Sequence, residues 1–135
     1  LSSTIYSGWL TFYYGLVGAG VVVDPVLPAP LYKSLGIWLK GDWATAVPGA
    51  NAELWVGTTT GHWYVHNFTA DLNPVTWTSF NFDLGTAFVP QGVYTWSTEM
   101  GSINAIYIPF SFAWTNGTYA DTFDFYADEI KLYRR

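Results

Sequence analysis

"ELWVGTTTGHWYVHNF" (residues 53–68) sets two apolar-rich runs on either side of a threonine cluster that ends in glycine. Val, Thr, Trp and Tyr favour extended backbone, and a polar, Gly-closed cluster between two such runs reads as a β-hairpin. With Thr58–Gly61 as the loop, Trp55 stands opposite Tyr64, Glu53 opposite His66, and Gly57 opposite His62. The alternate face pairs Leu54 with Val65 and Val56 with Trp63. That second face is uniformly apolar and is expected in the core, because side chains alternate across a strand. The first then shows an aromatic pair to solvent, flanked by a carboxylate and an imidazole. A slip of one residue would exchange the faces.

The rest of the chain supports an all-β reading. Of 135 residues half are hydrophobic and 20% aromatic, while 11% are charged, too few to solvate several amphipathic helices. The length suits one domain with one core, so residues 1–135 are expected to form a single module. Only five Lys and Arg stand against ten Asp and Glu, which makes a nucleic-acid partner improbable, since phosphates must be neutralised by cations. No run approaches the roughly 18 apolar residues of a membrane span, and no membrane partner is expected. There is no Cys, hence no disulfide framework or thiolate chemistry.

Turn residues divide the chain into eight runs: Thr4–Tyr14, Leu16–Val23, Leu35–Lys40, Glu53–Thr58, His62–Phe68, Val75–Leu84, Asn104–Phe112 and Thr122–Tyr133. A further short strand is expected around Tyr94–Thr98. Eight strands suit a two-sheet antiparallel β-sandwich, and the jelly roll is the common solution. That topology puts the second, seventh, fourth and fifth runs in one sheet and the first, eighth, third and sixth in the other. The seventh run then lies beside the fourth, and Tyr107 extends the Trp55/Tyr64 patch.

Sizeable exposed aromatic patches usually mark binding sites. Flat rings beside hydrogen-bonding Glu, His, Asn and Thr suit a pyranose, whose C–H face meets the electron-rich ring while its hydroxyls reach the polar neighbours. Trp55, Tyr64 and Tyr107 are therefore expected as stacking rings, with Glu53 and His66 as hydroxyl partners. Tyr94, Trp96 and Trp114 are secondary candidates in segments that could fringe the sheet. Trp38 ranks lower because it belongs to the opposite sheet.

"LGIWLKGD", "LNPVTWTSFNFDLG" and "FDFYADEIKLY" occur in that order and at spacings that resemble the jelly-roll carbohydrate-binding modules, over most of residues 35–133. The resemblance implies a non-catalytic, secreted module appended to a glycoside hydrolase such as an endoglucanase. Its ligand would be β-glucan chains: β-1,4-glucan, mixed-linkage β-1,3-1,4-glucan or xyloglucan. It also implies a structural role for Trp77, and a structural calcium at Asp128, with Asp24 or Asp124 as possible companions. Calcium wants about six to eight oxygens, and no carboxylate precedes Asp24.

An enzyme is not expected. Glycoside hydrolysis needs two carboxylates roughly 5 to 10 Å apart across a cleft, and only Glu53 is central on the expected face. His62 and His66, four apart on a strand, would lie about 13 Å apart and could not share a metal ion. The competing alternatives are a structural jelly-roll subunit of a capsid, pilus or surface layer, whose aromatics make subunit contacts, and a small jelly-roll glycosidase.

Overall fold

The computed structural model describes residues 6–13, 16–42, 51–110 and 125–135, with residues 6–19, 110 and 125 described by backbone alone. The hairpin is present as β4 (Glu53–Thr58) and β5 (Trp63–Asn67). Its loop is one residue tighter than expected. Thr58 N–H donates to the His62 carbonyl at 3.0 Å, and Gly61 N–H donates back to the Thr58 carbonyl at 2.9 Å. Gly61 sits at φ +80°, the left-handed region that a residue without Cβ enters freely. A turn followed by a left-handed glycine is the usual build of a three-residue hairpin loop.

That single residue turns β5 over. The pairs are Glu53 with Asn67, Leu54 with His66, Trp55 with Val65, Val56 with Tyr64, and Gly57 with Trp63. The faces of β4 are as expected: Leu54 and Val56 are fully buried, and Trp55 points outward. On β5 they are exchanged, so Tyr64 goes into the core and Trp63 comes out.

The other strands are β1 (Tyr6–Tyr13), β2 (Leu16–Pro28), β3 (Tyr32–Gly41), β6 (Thr78–Asp83), β7 (Val89–Pro90), β8 (Ser102–Phe110) and β9 (Phe125–Arg134). They form a six-stranded sheet, β1-β2-β8-β4-β5-β7, and a three-stranded sheet, β6-β3-β9. All pairings are antiparallel, and the architecture is a two-sheet β-sandwich. The expected order around β2, β8, β4 and β5 is present, as is β9 beside β3 beside β6. β1 departs from it: it pairs with β2 rather than joining β9. Two residues separate these strands in the chain, and so short a link joins antiparallel neighbours. The added strand lies at Val89–Pro90, while Trp96–Thr98 forms a turn of 3-10 helix where a strand was expected.

Strand alternation fills the space between the sheets. Leu35, Ile37 and Leu39 of β3 face Leu54 and Val56 of β4, Tyr64 of β5, and Ile106 and Ile108 of β8, all within one buried cluster. Each such side chain contributes about 1.5–3 kcal/mol by leaving water. Trp96 belongs to this core at 4% exposure, its indole N–H directed at the Tyr32 carbonyl at 3.3 Å. It does not fringe the sheet. An indole with one reachable acceptor is well placed in a core.

Candidate functional site

The outward face of the six-stranded sheet gathers Trp55, Trp63 and Tyr107. Trp55 is paired with Val65 on one side and Tyr107 on the other, and Gly57 lies between Trp63 and Ala105. The residues between the rings are small. A Cβ built on Gly57 would lie 2.9 Å from two carbons of the Trp63 indole, so the ring rests on the backbone of β4. A glycine inside a strand marks such a close approach. Gly20 on β2 lies opposite Tyr107.

The Trp55 indole is fixed by its neighbour: Nε1–H donates to Glu53 Oε2 at 2.9 Å. Trp55 and Trp63 meet edge to face, centroids 5.9 Å apart and planes 61° from parallel. The rings therefore form a corner and not a flat platform. All three aromatics are half-buried. The Tyr107 hydroxyl is buried and has no hydrogen-bond partner among the described residues, and burial raises its pKa. Leaving a buried hydroxyl unsatisfied costs about 1–3 kcal/mol.

Trp63 is held from behind by Tyr94. The Tyr94 hydroxyl accepts from Trp63 N–H at 3.1 Å and lies 3.2 Å from the Trp63 carbonyl, to which it can donate. The Tyr94 ring stacks on His62 at 3.9 Å and 9°. Tyr94 thus fixes the Trp63 backbone, with one face of its own ring covered by His62.

Beneath the sheet, Glu99 is buried and accepts four hydrogen bonds: from the Tyr64 hydroxyl at 2.7 Å, His62 Nδ1 at 2.7 Å, the Thr60 hydroxyl at 2.9 Å and Gly101 N–H at 2.7 Å. Burial alone would raise the Glu99 pKa. The donors from Tyr64, Gly101, His62 and Thr60 outweigh it and hold the carboxyl at about 2. For Tyr64, burial first and the Glu99 carboxylate second push the phenol above its usual range.

Of the expected residues, then, Trp55, Tyr107 and Glu53 share the outward face. Tyr64 does not, because the tighter loop sends it to the core at 0% exposure. His66 stands across from Leu54 instead of Glu53. Its Nδ1 is 2.8 Å from the Ala87 carbonyl and its ring packs on Phe82 and Phe88, so it is a satisfied, inward-facing imidazole. Trp96 is core and Tyr94 is a brace. Trp114 and Asp124 lie outside the described residues. The ring that the expected register missed is Trp63. The signals were Gly61, the natural closer of a three-residue loop, and Gly57, a strand-interior glycine that leaves room for an indole.

Asp128, the expected calcium ligand, accepts Glu129 N–H on Oδ1 at 2.7 Å. Among the described residues, which leave out its expected companion Asp124, no group of three His, Cys, Asp or Glu converges.

No family model and no curated protein matches the sequence. Among solved structures, the chain is similar to a family 11 carbohydrate-binding module from Clostridium thermocellum, solved in complex with a β-1,3-1,4-mixed-linked tetrasaccharide. The TM-score is 0.58 at 13% sequence identity, over 94% of this chain and 73% of that one. The chain shares its two-sheet β-sandwich fold with that module.

Proposed function

We propose that the outward face of the six-stranded sheet binds a single β-glucan chain, stacking sugars on Trp55, Trp63 and Tyr107. The observation that carries this is Trp63 resting on Gly57 beside a Trp55 whose indole is pinned by Glu53. Two anchored indoles at the surface lose little freedom when a sugar docks, so less of the stacking energy is cancelled by ordering. Glu53 and Asn67, paired across the hairpin at the edge of the rings, are the polar neighbours for hydroxyls.

The 61° between the indoles bears on the kind of glucan. A crystalline cellulose face would need coplanar rings, whereas a corner suits a twisting, soluble chain. Mixed-linkage β-1,3-1,4-glucan twists at each β-1,3 bond, and the similar module was solved with such a tetrasaccharide. β-1,4-Glucan in amorphous form and xyloglucan are the related candidates. The role that follows is non-catalytic and extracellular: keeping a tethered glycoside hydrolase at high effective concentration on its polymer. Glu53 supports the non-catalytic part, since it stands across from Asn67 and holds Trp55 with one oxygen.

Isothermal titration with mixed-linkage tetrasaccharide, cellopentaose and xylan oligosaccharides tests the proposal. Binding at this face should fall at least tenfold in Trp63→Ala with the fold intact. A domain that binds none of them and instead self-assembles into higher oligomers would support the structural-subunit alternative.

A further inference from the structure

The three-stranded sheet carries a second aromatic surface on its own outward face, on the far side of the sandwich. Leu35, Ile37 and Leu39 of β3 point inward, so Trp38 and Lys40 point out. Trp38 is paired with Ser79 on β6 and Asp128 on β9, and Lys40 with Tyr126. Trp77 stands just before β6. Trp38, Trp77, Tyr126 and Tyr133 are 39–45% exposed, each past the half-buried range of the Trp55 face.

These rings are organised. Trp77 and Tyr126 meet edge to face at 6.2 Å, and Lys40 Nζ lies over both, 4.5 Å from the Tyr126 centroid and 5.5 Å from that of Trp77. Trp38, Trp77, Asp128 and Glu129 line a depression of about 320 Å³. Its floor is shaped by a bulge in β9, where the register against β3 shifts between Gly36 and Trp38. Glu129 at that bulge adopts φ +50°. An L-residue there costs about 1–2 kcal/mol, and bulges characteristically re-aim side chains. Here the bulge sets two adjacent carboxylates beside two indoles.

We infer that this depression is a second glycan site, taking a neutral sugar unit between Trp38 and Trp77. Mixed polarity decides the ligand class. Glu129 is paired with Lys131 at 2.9 Å and Lys40 lies over the Trp77 and Tyr126 rings, so the described residues give this surface carboxylates and ammonium groups together. It offers acceptors and donors side by side next to exposed indole faces, which matches hydroxyls that both donate and accept. The volume is at the lower end of small-molecule sites. The inference uses only residues of this face and does not rest on the proposal for the Trp55 face. If both hold, the domain is bivalent back to back, and its two sites engage different chains, because the sandwich separates them.

The test is titration of the intact chain with mixed-linkage β-glucan tetrasaccharide and cellopentaose, reading stoichiometry for wild type, Trp63→Ala, Trp77→Ala and Asp128→Asn, each checked by thermal melting. Two sites per chain are expected in the wild type, one in Trp77→Ala and one in Trp63→Ala, with Asp128→Asn weakening the second at least threefold. One site, lost in Trp63→Ala and untouched in Trp77→Ala and Asp128→Asn, overturns this inference and leaves the first face standing. One site lost only in Trp77→Ala does the reverse. Concentration-dependent dimerisation abolished by Trp77→Ala, with no sugar bound there, overturns it in favour of self-association.

Discussion

Gly57 lies directly under the indole of Trp63, so close that a methyl group on its Cα would fall 2.9 Å from two of the ring carbons. The absence of a side chain on β4 is what lets the indole lie down on β5's neighbour. Gly57→Val should lift the ring and disturb the corner it makes with Trp55. We expect glucan affinity to drop at least fivefold, with a melting temperature changed by no more than a few degrees, because the clash falls on a half-exposed indole of the outward face and not on the core. Titration calorimetry beside a thermal melt separates the two effects. Unchanged affinity would mean that Trp63 does not touch the ligand.

Tyr64 and Trp63 are neighbours in the chain with opposite duties. Tyr64→Phe removes one of four hydrogen bonds to the buried Glu99 carboxylate and leaves the sheet face alone. Hydrogen bonds to charged groups contribute about 1.5–3 kcal/mol, so stability in urea should fall by about that amount while glucan affinity stays within twofold. A variant of full stability with impaired binding would put Tyr64 back on the surface.

Stability should depend on pH through Glu99. Its folded pKa is depressed from 4.5 to about 2, so its contribution is complete above the unfolded value and is lost as pH falls through the folded one. The window is about pH 5 down to pH 2, and the size about 3 kcal/mol. Urea melts across that range should show the decline, and Glu99→Gln, less stable at neutral pH, should show a flatter profile. An equal slope in wild type and variant would remove Glu99 as the cause.

Gly61 fixes the register that separates these roles. It stands at φ +80° with nothing within 4 Å of a built Cβ, so Gly61→Ala meets no steric obstacle except its own backbone. The cost of the left-handed conformation, about 1–2 kcal/mol, should appear in equilibrium unfolding. A neutral effect would argue for a looser loop with the register first expected.

Which parts of this were legible in the sequence follows from what each signal measures. Alternation on β3, β4 and β8 reports burial directly, so Leu35, Ile37, Leu39, Leu54, Val56, Ile106 and Ile108 were placed correctly, and with them the sandwich and the outward direction of Trp55 and Tyr107. On β5, "HWYVH" offers aromatic or apolar side chains on both faces, and alternation cannot say which is inside. Loop length alone decided that, and the loop was read one residue too long. Tyr64 was the harder case, because a phenol becomes a core residue only if a partner awaits its hydroxyl, and Glu99 is 35 residues away in sequence. Trp38 was legible as an outward aromatic, whereas Trp77 was expected in a structural role, and the grouping of both with Asp128 and Glu129 depends on a bulge in β9 that no local pattern announces.

The most direct measurement is a ¹H–¹⁵N correlation spectrum of the tryptophan indole N–H groups during titration with mixed-linkage β-glucan tetrasaccharide. If the outward face of the six-stranded sheet holds the sugar, the Trp55 and Trp63 indole signals move together and saturably, while that of the buried Trp96 stays in place. Stationary Trp55 and Trp63 signals at saturating sugar would contradict a binding face built on those rings.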